Sequence, residues 1–532
     1  MTRRTFCSAA LAATAACSSK TPEAAGPARR PNIVFCFADD WGRYASLYRD
    51  PARPGLSDVI ETPHVDRVGR EGVVFDNAFV AAPSCTPSRA AVTTGMYFFR
   101  CGRHANLRIR WPEGVEDPYL SLPSWPAILK EAGYHVGHAG KTTYRGKGDK
   151  AQKSYIGGQT PMSRFSQHAS GEDQPAMTKD EIYAEVRETF QAFLADRPAD
   201  APFVYWFGPH NTHRPWVRGS GKALWGVDPD RLQGKLPAFL PDVPEVREDV
   251  ADYLGETLAW DAMIGVLLAE IDQTGEAGDT LVVLSGDHGM PGVTHGKCNV
   301  YDFGVHAPLL ARWPAAVPAG RRITDFVNMM DVAPTMVEAA GLQPPPTMQA
   351  RSFLPQLRSS ASGRIDPARD HVLIGRERHV EDARPDRLPY PTRALRTDDY
   401  LYIRNFKPDR WPMGDPGPVT ADSAPSAEEL AADTMVAFKD LDASPTKAWL
   451  IAHRNEPEGK RYYDYCFAKR PAEELYDLAK DPDQIENVAG RPEYAETLRR
   501  LSAQLQAELE AAGDPRLDDA FDRPPYVEES AS

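Results

Sequence analysis

Cysteine is scarce in this chain: seven in 532 residues, at positions 7, 17, 36, 85, 101, 298 and 466. No two stand in C-x-x-C spacing, so a structural zinc knuckle has no ligands to build on. Cys36, Cys101, Cys298 and Cys466 are too irregularly spaced to define a pairing, and buried free thiols are the expectation. A surplus of positive charge is missing as well. The 61 Lys and Arg against 75 Asp and Glu leave −14 with His neutral. That balance argues against a nucleic-acid partner, and any anionic ligand must be drawn in by local positive charge. After the N-terminal segment no apolar run reaches the ~18–20 residues that span a bilayer, and there is no internal repeat.

The N-terminus carries an address. Residues 1–28 read as an export signal and tether. Arg3-Arg4-Thr5-Phe6 resembles a twin-arginine signal, and Thr14-Ala15-Ala16-Cys17 a lipoprotein cleavage box with Thr where Leu is usual. The expectation is an exported protein, periplasmic or anchored to a membrane by lipid on Cys17, with an ordinary secretory signal as the alternative.

Short apolar runs at 32–38, 202–208, 280–286 and 308–313 read as buried parallel strands. Amphipathic stretches at 124–132 and 247–273 read as helices. The alternation predicts an α/β fold: a large, mainly parallel sheet flanked by helices on both faces, in a domain spanning 29–365. After Pro344-Pro345-Pro346 the pattern changes. Strands at 372–375 and 400–404, a loop at 412–427 and a closing helix at 492–512 predict a smaller C-terminal α+β subdomain over 366–515. Residues 516–532 read as a poorly ordered tail.

Polar residues follow the apolar runs directly: Asp39-Asp40, His210 with His213, and Asp287-His288. Ligands of open α/β sheets bind outside the carboxyl ends of the strands, so these segments should converge. A carboxylate-rich set suits Ca²⁺ better than Zn²⁺. A histidine beside such a centre can act as general acid. The sharpest signal is Cys85-Thr86-Pro87-Ser88-Arg89, with Gly95 six residues on. Pro fits the first turn of a helix, and Arg89 shares a face with Cys85 four residues earlier. A sulfur side chain at a positive helix N-terminus beside a guanidinium is a place for an anion.

The pentapeptide matches the C-x-P-x-R pattern of the type I sulfatases, and nearly the whole mature chain resembles that family, including Glu474-Leu475-Tyr476-Asp477-Leu478 near its end. The resemblance implies an alkaline-phosphatase-like fold and hydrolysis of a sulfate ester or sulfamate. It implies that a formylglycine-generating enzyme oxidises Cys85 to formylglycine, whose hydrated aldehyde is the nucleophile. Asp39, Asp40, Asp287 and His288 then bind Ca²⁺, which the modified Cys85 also faces. By the same resemblance Arg89 holds the formylglycine, Lys141 and Lys297 hold sulfate oxygens, and His213 protonates the leaving group. Gly289-Met290-Pro291 and Lys297-Cys298-Asn299-Val300-Tyr301 resemble the sulfamidase (N-sulfoglucosamine sulfohydrolase) branch, which favours a sulfated carbohydrate substrate.

There are two departures. Thr143 and Tyr144 stand where many members carry a histidine after the Gly-Lys lysine; that histidine's role in releasing sulfate is left without its usual residue, and His104 and His210 are the candidates to substitute. His288 stands where many have Asn. Arg378 and His379 are further candidates to line the pocket from the C-terminal subdomain. Two alternatives stay open: a phosphodiesterase or phosphonate monoester hydrolase of the same superfamily, and a catalytically dead glycan-binding protein.

Overall fold

The structure is a computed structural model that describes residues 30–107, 111–142, 152–157, 160–172 and 175–527. The export segment with Cys17, and Thr143 and Tyr144, lie outside the described residues. Its core is an eight-stranded sheet: β1 (Asn32–Ala38), β2 (Val73–Phe79), β3 (His135–Gly140), β4 (Lys153–Ile156), β5 (Phe203–Gly208), β6 (Thr280–Gly286), β7 (Leu309–Arg312) and β8 (Arg321–Asn328). Their spatial order is β4-β3-β5-β1-β6-β7-β2-β8. Only β7 runs antiparallel, against both β6 and β2.

The strands are apolar along their length because both faces are covered. In β1, Ile33, Phe35 and Phe37 enter one core with Trp125, Trp206 and Leu281, while Val34, Cys36 and Ala38 enter the other with Phe207, Trp260 and Leu284. The second core is closed by the helix Pro244–Gln273. That helix starts three residues ahead of its amphipathic pattern because Pro244 occupies the first turn, where a missing N–H costs nothing.

The smaller sheet is antiparallel, in the order β12-β11-β10-β9, from β9 (His371–Arg376), β10 (Thr392–Thr397), β11 (Tyr400–Asn405) and β12 (Glu473–Asp477). The helix Ala495–Ala512 lays Leu501, Leu505 and Leu509 against Leu395, Tyr402 and Leu475 of that sheet. Its four-residue spacing is one helix face.

The expected tail needs correction. Residues 515–518 and 520–522 form short helical turns, and Phe521 is buried beside Leu509 and Ala512. The charges of this segment are paired internally. Arg516 and Arg393 both grip Glu377 with no side-chain exposure, and Arg516 also reaches Asp522. Cys36, Cys85, Cys101, Cys298 and Cys466 are buried free thiols. Among the described residues no helix is long and apolar enough to cross a membrane.

Candidate active site

Four neighbouring strands end at one place. β1 delivers Asp39 and Asp40, β6 delivers Asp287 and His288, β5 leads to His210 and His213, and β3 to Lys141. Close backbone approach makes the meeting feasible. A Cβ on Gly286 would lie 1.9 Å from the Trp41 carbonyl, so only glycine lets the two metal-side loops touch. The Asp40 N–H then donates to Asp287 Oδ1 at 2.8 Å, and Tyr253 donates its hydroxyl proton to the Asp40 carbonyl at 3.0 Å.

The helix Cys85–Thr94 points its N-terminus into this cluster and ends on Gly95 at φ 68°. The left-handed conformation there is the reason for glycine. Ser84, its N-cap, makes no side-chain cap; its hydroxyl pairs instead with His379 Nδ1 at 2.8 Å. Cys85 Sγ lies 3.4 Å from His288 Nε2 and 3.9 Å from Asp40 Oδ1. Arg89, wholly buried, ties the helix to the strand ends. Nε donates to Asp287 at 2.8 Å, Nη2 to Asp39 at 3.2 Å and to the Ala38 carbonyl at 3.3 Å, and Nη1 to the Lys141 carbonyl at 3.1 Å.

The two lysines are held from opposite sides. Lys141 Nζ donates to both Asp39 oxygens at 2.7 Å. Lys297 Nζ donates to Asp40 Oδ2 at 3.0 Å and to His213 Nε2 at 3.2 Å. His213 Nδ1 donates to the Arg214 carbonyl, which leaves Nε2 as the ring atom that faces the cluster, 3.7 Å from Asp40 Oδ2. Burial works against every charge here, and the neighbours decide the outcome. Lys141 and Arg89 hold Asp39 well below the usual carboxylate range. His213, Lys297 and His288 lower Asp40. For Asp287 burial wins and the carboxyl is raised.

The donor set fits a hard cation. Ligand atoms of Asp39, Asp40, Cys85 and His213 lie within 4.8 Å of one another, and so do those of Cys85, Asp287 and His288. His288 Nδ1 bonds the Gly289 carbonyl at 3.1 Å. Its Nε2 therefore faces Asp40 at 3.1 Å and Asp287 at 3.5 Å. Although burial disfavours the charged ring, Asp287 and Asp40 hold His288 protonated up to about 10. The proton stands where an oxygen-liganded dication would draw the same carboxylates together.

Among the other expected residues, His210 borders the cluster. It is half-buried, and burial lowers it to about 4 while Asp39, Lys141 and Arg89 lie within electrostatic reach. His379 closes the C-terminal side and is lowered to about 3 by burial, with Lys297 adding to the effect. The His104 ring packs on Tyr119, centroids 3.8 Å apart. Arg378 puts its guanidinium on the Arg387 carbonyl and its backbone N–H on Asn106.

Asp442 is the residue that sequence reasoning missed. Its Oδ2 lies 3.5 Å from Lys297 Nζ. Burial opposes its charge, yet Lys297, His213 and His379 hold it below the usual carboxylate range. Nothing in Asp440-Leu441-Asp442 marks it, because acidic residues just before a Ser-Pro helix start read as ordinary helix-entry chemistry.

Comparison with known proteins follows this geometry. Residues 31–342 match the Sulfatase family, and residues 286–415 match the C-terminal region of N-sulphoglucosamine sulphohydrolase. An ulvan-active sulfatase of Formosa agariphila is 26% identical over 508 residues, covering 91% of this chain and 76% of that protein. Human N-sulphoglucosamine sulphohydrolase is 25% identical over 515 residues, covering 90% and 89%. Among solved structures, BT4656 in complex with its substrate D-glucosamine-2-N,6-O-disulfate aligns with a TM-score of 0.59 at 18% identity, covering 93% of this chain and 100% of that one.

Proposed function

This chain belongs to the sulfatase family and is a hydrolase of sulfate esters or sulfamates, and we propose that its substrate is a sulfated glycan and its nucleophile a formylglycine made from Cys85. The observation that carries this is the position of Cys85 Sγ: at a helix N-terminus, 3.4 Å from His288 Nε2 and 3.9 Å from Asp40 Oδ1. A thiol has no second hydroxyl with which to expel sulfate, so the modified residue supplies an oxygen nucleophile that can be regenerated. Ca²⁺ held by Asp39, Asp40, Asp287 and His288 would offset sulfate charge and acidify a hydroxyl facing it.

The chain's own residues do the rest. Lys141 and Lys297 flank the carboxylates and offer ammonium groups to sulfate oxygens, a fixed arrangement that needs no reorganisation as charge develops. Arg89 locks the nucleophile's helix to both metal-side loops. His213 presents Nε2 to the leaving atom, where a sugar oxygen or nitrogen needs a proton. His210, within electrostatic reach of Asp39, Lys141 and Arg89, is a candidate stand-in for the histidine absent after Lys141. The names of the relatives support a sulfated sugar, and the human one an N-sulfated glucosamine. Arg3-Arg4 and Cys17 support export, with maturation by a formylglycine-generating enzyme.

The test is a panel. Matured enzyme is assayed on p-nitrophenyl sulfate, p-nitrophenyl phosphate, a phosphonate monoester, and glucosamines with N- or O-sulfate. Turnover of the sulfates, best on a sugar, is expected. Preference for the phosphate or phosphonate would overturn the substrate reading, and failure on every substrate with Cys85 modified would favour the inactive glycan binder.

A further inference from the structure

Resting on that reading, the leaving atom of the substrate lies toward His213 and Lys297. One charged side chain borders this place without a part in the chemistry above. Asp442 comes from the second half of the chain, two residues before Ser444, the N-cap of the helix Pro445–Ala452. Its backbone surroundings are pinned. The Asp440 N–H donates to the Met413 carbonyl at 3.1 Å, Asp440 itself is buried against Arg376 and Arg384, and the Ser444 hydroxyl donates to the Gly292 carbonyl at 2.6 Å. Asp442 therefore has a fixed station beside Lys297.

The groups facing Asp442 are Lys297, His213, His379 and Arg214. All four have partners elsewhere, His213 through the Arg214 carbonyl and Lys297. Lys297 is bonded to Asp40 and His213, His379 to Ser84, and Arg214 to Asp249 at 2.7 Å and the Pro291 carbonyl at 3.1 Å. Asp442 Oδ2 is sealed from solvent and accepts no hydrogen bond. The side chain keeps 17% exposure, so Oδ1 is the acceptor available to a ligand. A carboxylate is an odd choice beside a sulfate unless it answers something else on the substrate. It can accept a strong hydrogen bond from a hydroxyl or ammonium, and it repels a second anion.

We infer that Asp442 is a specificity-determining residue: its carboxylate binds a hydroxyl or ammonium of the sugar next to the scissile sulfate and rejects sugars bearing a second sulfate or a carboxylate there. A charge-assisted hydrogen bond of this kind corresponds to roughly 10- to 100-fold in kcat/KM. Repulsion of an added anion across a partly screened pocket has a similar size.

The experiment uses the full-length matured chain and its Asp442→Asn and Asp442→Ala variants. Substrates are p-nitrophenyl sulfate, the monosulfated glucosamine the chain turns over, and that sugar with a second sulfate on the neighbouring carbon. The expected result is a fall of roughly 10- to 100-fold on the monosulfated sugar, a smaller fall on p-nitrophenyl sulfate, which carries no sugar group for Asp442 to bond, and a mono- to disulfated preference that drops by about tenfold or more in Asp442→Asn. The preference ratio cancels any general loss from loosening Lys297. An unchanged ratio in both variants overturns the inference while the sulfatase reading stands, and so does wild-type cleavage of the aryl sulfate alone. No turnover of any sulfate by the wild type brings down the underlying reading instead. If the variants do not fold, binding of the two sugars to a Cys85→Ala protein decides, because equal or tighter binding of the disulfated sugar contradicts the inference.

Discussion

Replacing Arg89 with alanine is the sharpest test of how the site is held together. The guanidinium has no exposure and makes two ion pairs, to Asp287 at 2.8 Å and Asp39 at 3.2 Å, and bonds two carbonyls. Breaking a buried pair by removing one partner costs about 3–5 kcal/mol, because a charge is left uncompensated. The two carboxylates do not share that cost equally. Asp39 keeps Lys141, which reaches both its oxygens at 2.7 Å. Asp287 keeps His288 at 3.5 Å and the Asp40 N–H, and burial already raises its carboxyl. Asp287 therefore carries most of the loss. A bound divalent cation would supply the missing charge at the same oxygens, so Ca²⁺ should stabilise Arg89→Ala more than wild type by mass-action linkage. Arg89→Lys restores one charge but cannot span the same acceptors, and should fall between. Urea unfolding of the three proteins, each in chelator and in excess Ca²⁺, measures both effects. Wild-type stability of Arg89→Ala in chelator, or an equal calcium gain in both proteins, would refute the reasoning.

Two further predictions follow from single side chains. His213→Ala should cost ~10²–10⁴-fold on a sugar sulfate and far less on p-nitrophenyl sulfate, whose leaving group needs no proton, while His210→Ala should affect both alike. The reverse pattern in steady-state kinetics would exchange the two roles. Glu256, wholly buried on the helix Pro244–Gln273, is raised by burial from 4.5 to about 7 despite donors from Ser166 and Asn211. A folded-state value above the unfolded one makes its contribution full below pH ~4.5 and lost as pH rises to about 7, a change of roughly 3 kcal/mol. Urea midpoints across that window should fall in wild type relative to Glu256→Gln, and parallel profiles would contradict the sign.

The strands were legible because fully buried parallel strands have nothing but apolar residues to show. β1 and β6 begin and end where their apolar runs do, and the aspartates that stop them are the site. Cys85, Arg89 and the aspartates could be read from local spacing plus the rule that strand ends converge. The misses share a different cause. Asp442 reaches Lys297 across 144 intervening positions, and no local pattern encodes such a meeting. The segment 516–522 reads as a poorly ordered tail because the partners of its charges, Glu377 and Arg410, lie more than 100 residues away. Composition gives a charge its sign, while only the tertiary fold gives it a partner.

The central claim is that the working nucleophile is formylglycine at position 85. The direct measurement is to express the chain with graded amounts of a formylglycine-generating enzyme. Mass spectrometry of the peptide holding Cys85 then gives the modified fraction of each preparation, for comparison with its specific activity on one sulfated substrate. The account predicts a straight line through the origin, with Cys85→Ala folded and inactive. Full activity in a preparation whose residue 85 is wholly unmodified cysteine would contradict it.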